Sequence, residues 1–250
     1  MILIEEIHSR VLGAIRFVDA TTLSPIGRRL DVAADGSEFV RNRLGLYVVA
    51  TAPKLEDYVL EFDTPLAKPK LGKAPIVLTV QDPERQYLPR QATIALPRDP
   101  DPANESSADS LFQPVDVALF AAPAARTGEG VAVVRASVKR TGTEIGLPAA
   151  LLRVLRTSDG KVLARGLADD RGEVLLAVPG IPITSWEDGP GPVVSTEVDV
   201  SLEAIFDRSA DDVPDPDEIE AQRGSLPQAA IALKLASGRE VITRIEVATR

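Results

Sequence analysis

The chain has 250 residues, 44% of them hydrophobic and 4% aromatic, so it can build a real core, but that core must be packed mainly from Val, Leu, Ile and Ala. It contains no cysteine, which excludes disulfides, thiolate metal sites, iron–sulfur clusters and a cysteine nucleophile. The formal charge of −9 is unevenly spread, since Trp186 to Glu220 holds twelve acids and one base, Arg208, and such a surface repels phosphate backbones and argues against a nucleic-acid partner.

The chain opens with MILIEEIHSR, which has acids at Glu5 and Glu6 and no apolar h-region. No secretory signal is expected there, no run approaches the ~18 apolar residues of a membrane span, and the expected location is the cytoplasm, alone or within an assembled particle. Period-2 alternation then predicts strands. Ile15 and Phe17 flank Arg16; Leu46, Val48 and Ala50 alternate with Tyr47 and Val49; Tyr58, Leu60 and Phe62 alternate with Val59, Glu61 and Asp63. Ile76, Leu78 and Val80, then Ala92, Ile94 and Leu96, continue the pattern, and Pro, Gly and Asp clusters separate the runs as in a small antiparallel sandwich spanning 1–97. Pro97, Pro100 and Pro102, followed by a polar stretch, interrupt it, so 98–112 reads as a linker or long loop.

A second sandwich is expected over 113–250. Val115–Phe120 and Val131–Lys139 read as strands, and Leu147–Gly180 as three short strands with tight turns at Ser158-Asp159-Gly160 and Asp169-Asp170-Arg171-Gly172. Thr196–Phe206 predicts a half-buried strand, with Val198, Val200, Leu202, Ala204 and Phe206 on one face and Glu197, Asp199, Ser201 and Glu203 on the other. Val213–Leu226 is the one expected helix, started near Pro214 or Asp215, acidic in its first turn and stopped at Gly224. Ile231, Leu233 and Leu235, a turn at Ser237-Gly238, and Val241, Thr243, Ile245 and Val247 predict a terminal hairpin. The two halves echo one another: strand, polar turn, strand, Asp- or Gly-bearing turn, strand, beginning at Ala14 in one and Ala150 in the other.

Arg153-Val154 through Ala164, Asp169, Gly172 and Val174-Leu175-Leu176, with a looser copy from Phe17-Val18-Asp19 to Gly45-Leu46-Tyr47, resemble carboxypeptidase-regulatory-like domains, the transthyretin-like sandwiches. The resemblance covers about a third of the chain, and implies about seven strands per module and no catalytic residues. The layout of LGAIRFVDATTLSPI, VQDPERQYLPR and PRDPDP also resembles accessory β-sandwich proteins of phage-tail-like contractile injection particles, which implies a structural role in a large assembly.

Catalytic patterns are sparse. His8 is the sole histidine and no G-x-S-x-G occurs, so a serine triad has no support. Gly72-Lys73 lacks the preceding glycine of a phosphate-binding loop. Oxygen ligands from Asp211, Asp212, Asp215, Asp217, Glu218 and Glu220 lack the glycine of an EF-hand, and an acidic helix start accounts for them without a metal. A strand Lys–Asn cross-link is rejected, because Asn42 and Asn104 are the only asparagines and no lysine precedes Lys54. Two features read as contacts: the rigid loop from Ile181 to Pro192 around Trp186 and Asp188, joined by the acids Asp211, Asp212 and Asp217, and a basic group of Arg28, Arg29, Arg41 and Arg43.

The sequence therefore predicts an all-β protein of two Ig-like or transthyretin-like antiparallel sandwiches with one short helix near the C-terminus, without catalytic residues, cofactor or metal. The expected function is structural or adaptor work by docking to protein partners, with no nucleic acid, membrane insertion or small-molecule substrate. The rival readings are a carbohydrate- or peptide-binding module and, more remotely, an acid-only glycoside hydrolase.

Overall fold

The computed structural model describes residues 10–60, 69–182, 197–208 and 213–249. It divides into two compact units: Met1–Val18 with Pro25–Pro83 and Gln91–Ala118, and Asp19–Ser24 with Glu84–Arg90 and Leu119–Arg250. The division is discontinuous, unlike the 1–97 and 113–250 partition drawn from the prolines. Proline marks where a ladder is interrupted and does not say which sheet the chain enters next. Residues 98–112 form a loop of the first unit. Arg98 is buried there and donates to the carbonyls of Ala108 and Ser110, while the Asp99 N–H bonds the Asp109 carbonyl at 2.9 Å.

In the first unit the described strands are β1 (Gly13–Asp19), β2 (Asp31–Ala33), β3 (Glu38–Arg41), β4 (Tyr47–Thr51), β5 (Ile76–Gln81), β6 (Arg90–Ile94) and β7 (Val115–Leu119). They form sheets ordered β3-β4-β1-β7 and β2-β5-β6. The alternation read from sequence sets the inward faces at Ile15 and Phe17 in one sheet and at Ile76, Leu78, Val80, Ala92 and Ile94 in the other, all buried; on β4 the buried residues are Tyr47 and Val49, while Leu46, Val48 and Ala50 are half-buried. The Tyr47 ring meets Phe17 edge-on at 5.2 Å, and its hydroxyl accepts from the Leu30 N–H (2.6 Å) and donates to the Leu30 carbonyl (2.9 Å) just before β2.

One predicted strand is a helix. Glu56–Leu60 forms α1, opened by Lys54 at φ 67° and a Val59 N–H to Leu55 carbonyl bond of 2.9 Å. Alternation at Tyr58, Leu60 and Phe62 competes with a helical pairing of Leu55 and Tyr58 three residues apart, and both of those are buried, so the 3.6 period wins. Phe62 lies outside the described residues.

The second unit contains β8 (Ala132–Arg140), β9 (Leu151–Arg156), β10 (Val162–Leu167), β11 (Glu173–Val178), β12 (Val198–Ile205), α2 (Pro216–Gln222), β13 (Gln228–Leu235) and β14 (Glu240–Val247). The sheets run β10-β9-β12-β13 and β11-β8-β14. Their shared core includes Val134, Val138, Leu152, Val154, Leu176 and Leu202 and is aliphatic except for Phe206. Two expected hairpins are crossovers between sheets. β10 pairs with β9 but β11 pairs with β8, so the Asp169–Gly172 turn arches from one sheet to the other. β13 pairs with β12 and β14 lies parallel to β8, so the C-terminal strands separate into different sheets instead of pairing. A turn sequence fixes a reversal of direction and carries no information about the next partner. The arch stacks β10 against β11 so closely that a Cβ on Gly166 would lie 2.9 Å from both Val174 and Leu176.

The seven described strands of each unit share a plan. In both, the fourth, first and seventh strands form one row (β4-β1-β7; β11-β8-β14) and the second, fifth and sixth another (β2-β5-β6; β9-β12-β13). Only the third strand differs: β3 joins β4, whereas β10 joins β9. The internal echo is thus a duplication of topology, but β1 corresponds to β8 and not to the segment at Ala150. Similar turn spacing had shifted the comparison by one strand.

Candidate protein interface

The acidic stretch around α2 is first a structural clasp. Asp215 caps the helix, accepting from the N–H groups of Asp217 (3.0 Å) and Glu218 (3.4 Å), and Pro216 occupies the first turn, where its missing N–H costs nothing. Arg90, completely buried, donates to Asp215 at 3.2 Å and Asp217 at 2.6 Å, and its guanidinium lies 6.0 Å from the centre of the Phe120 ring. Arg165 approaches Asp217 at 3.6 Å, and Arg153 pairs with Glu203 at 3.1 Å and Glu220 at 3.3 Å. Ile219, on the same helix, is buried with Phe120, Leu151, Leu167 and Ile205. Sequence reasoning found the acids but missed Arg90, which lies 125 residues before Asp215 and has no local signature.

Of the predicted contact residues, Asp217 is described: its side chain is 58% exposed and already engaged by Arg90 and Arg165. Trp186, Asp188, Asp211 and Asp212 lie outside the described residues. Asp169 is a turn residue. Its carboxylate accepts from the N–H groups of Arg171 and Glu173, each at 2.9 Å, and from the Arg171 guanidinium. A cleft of about 510 Å³ opens beside it, lined among others by Pro148, Leu167, Asp170, Phe206 and Pro214. Elsewhere on the second unit Lys139 (2.6 Å) and Arg244 (2.7 Å) converge on Glu144 and hold its carboxyl down at about 2. No group of three or more His, Asp or Glu side chains among the described residues is placed to hold a metal ion, and none of the described helices is long and apolar enough to cross a membrane.

A groove of about 760 Å³ runs between β2 and β3, lined by both strands and by Arg29, Tyr47, Thr79 and Gln81. Each strand is the edge of its sheet. The basic group read from sequence divides here. Arg28 pairs with Asp82 at 3.3 Å, Arg41 donates to the Gly27 carbonyl at 2.6 Å, and Arg29 and Arg43 are exposed with no ion pair among the described residues. The groove therefore presents Arg29 and Arg41 against one carboxylate, Asp31.

No protein-family model matches the sequence, and no curated protein matches it. Among solved structures the chain is similar to the TIE protein of Bacillus anthracis, at 8% identity and a TM-score of 0.29, covering 95% of this chain and 34% of that one. It spans about a third of that protein's length. The minor pilin of Streptococcus agalactiae matches at 10% identity over 84% of this chain and 66% of the pilin, with a TM-score of 0.27. The shaft pilin SpaA of Lactobacillus rhamnosus GG matches at 10% identity over 95% of this chain and 97% of the pilin, also with a TM-score of 0.27.

Proposed function

We propose that the chain is a non-catalytic structural or adaptor protein that docks through its surface into a larger assembly of proteins, with a phage-tail-like contractile injection particle as the preferred instance and the cytoplasm as the place of synthesis. The observation that carries the reading is how the buried charge is used. In the second unit the buried cations Arg90 and Arg153 fix α2 and neighbouring strands, an arrangement that stiffens a scaffold. Charge without an ion pair among the described residues, that of Arg29, sits instead on an open groove, a place where a partner would touch. Trp186, Asp188, Asp211 and Asp212 are kept as proposed contacts beside Asp217.

A carbohydrate platform finds less support. Phe17, Tyr47, Tyr58, Phe120 and Phe206 are buried, and Phe112, 54% exposed, is the described ring that stands open. Affinity isolation of the tagged full-length chain from native lysate, followed by electron microscopy, tests the proposal. Copurification with a regular multi-subunit particle is expected; recovery of the free chain beside an activity on a glycan panel would reverse the order of the readings.

A further inference from the structure

We infer that the groove between β2 and β3 is a strand-accepting site, filled by an extended segment of a protein partner that adds to the free edge of β2 and carries an acidic side chain to Arg29 and Arg41. The inference rests on the reading of the chain as an assembly component and names where and how it is joined.

The second unit supplies the argument. There the row β9-β12-β13 is completed by a third strand, β10, laid antiparallel along β9 from Leu151↔Leu167 to Leu155↔Val162. In the first unit the matching row, β2-β5-β6, has no such strand among the described residues, because β3 has crossed to β4. The free side of β2 is thus the position that the protein fills in its own other half. An added strand there would extend the row to four and pair main-chain groups that have no strand partner on that side among the described residues.

The opposite wall is also an open ladder. β3 pairs with β4 as Val40↔Val48 and Arg41↔Tyr47, and the Asn42 N–H bonds the Leu46 carbonyl at 2.9 Å. Antiparallel pairs alternate, so Asn42 and Val40 point their main-chain groups at β4, while those of Phe39 and Arg41 point away from it. Val40 is 58% exposed, an apolar contact without a described cover. Charge selects the occupant further: Arg29 and Arg41 line the groove with a single carboxylate, Asp31, and the exposed Arg29 has no ion pair among the described residues. A nearby acid on the incoming strand balances them.

The test uses the full-length chain and a displayed library of random nonapeptides. Selection is expected to enrich extended, β-branched sequences with one or more acids. The tightest of them, as a synthetic capped peptide, should slow amide exchange at Asp31–Ala33 and bind about tenfold more weakly to an R29Q/R41Q variant than to an R43Q control with the same melting temperature. Failure to enrich any sequence, or binding that leaves the β2 amides unprotected in the unmodified protein, overturns the inference. So does tighter binding of heparin or oligo-dT than of the peptide, which would make the groove an anion site. Concentration-dependent dimerisation that protects β2 without peptide would assign the edge to a second copy and also overturn it. A regular particle isolated from lysate together with a silent groove would sink this inference alone and leave the assembly reading standing.

Discussion

Tyr47 spends its hydroxyl entirely on one residue's backbone, bonding both polar groups of Leu30 inside a buried site. Tyr47→Phe leaves a donor and an acceptor without a partner in that site and is expected to lower stability by about 1–3 kcal/mol in urea unfolding, with the Phe17 contact kept. Arg90 makes a sharper case, because its partners differ in exposure. Replacing it with Met leaves the Asp215 carboxylate, 11% exposed, without its cation, at an expected cost of about 2–4 kcal/mol. Asp217→Asn, at a side chain 58% exposed, is expected to cost under about 1 kcal/mol. Equal losses in the two variants would show that the buried half of the pair is not what holds α2. Glu144 supplies a pH prediction. Lys139 first, and then Arg244, depress its folded carboxyl to about 2, so the stabilisation is complete above the ordinary carboxylate range and is lost as pH falls toward 2. Carbon-detected NMR titration should find that value, and Lys139→Ala should move it upward.

At the scale of elements, packing overrides local pattern in identifiable places. The Asp169 turn and the inward alternation of β5, β6 and β12 were legible, because each depends on residues within a few positions. The pairings of β11, β13 and β14 were not. An Asp-Gly turn looks the same whether the chain folds back beside its own strand or steps to the opposite sheet. What decides it is a contact such as Gly166 against Val174 and Leu176, where only a missing side chain lets the two strands approach face to face. Gly166→Ala forces a methyl group into that contact and is expected to cost about 1–3 kcal/mol in thermal or urea unfolding, although the substitution is favourable on backbone entropy alone. A stabilised variant would mean that β10 and β11 can part without loss. The candidate interface was legible to a similar degree: the basic residues of the groove were named from sequence, but the free β2 edge beside them follows from where β3 goes, a long-range choice.

For the molecule as a whole, two units whose seven described strands share a common plan account for the repeated turn spacing. The second unit uses Arg90 and Arg153 inward, while the first, beside its buried Arg98, leaves a strand edge and the exposed Arg29 open among the described residues. On the proposed reading, a chain built this way is held against other chains. The most direct measurement is the native mass of the untagged protein in lysate, read by gradient sedimentation with quantitative detection. The account predicts that the main pool travels in a particle far heavier than the 26.7 kDa single chain, and a pool that sediments entirely as the monomer would contradict it.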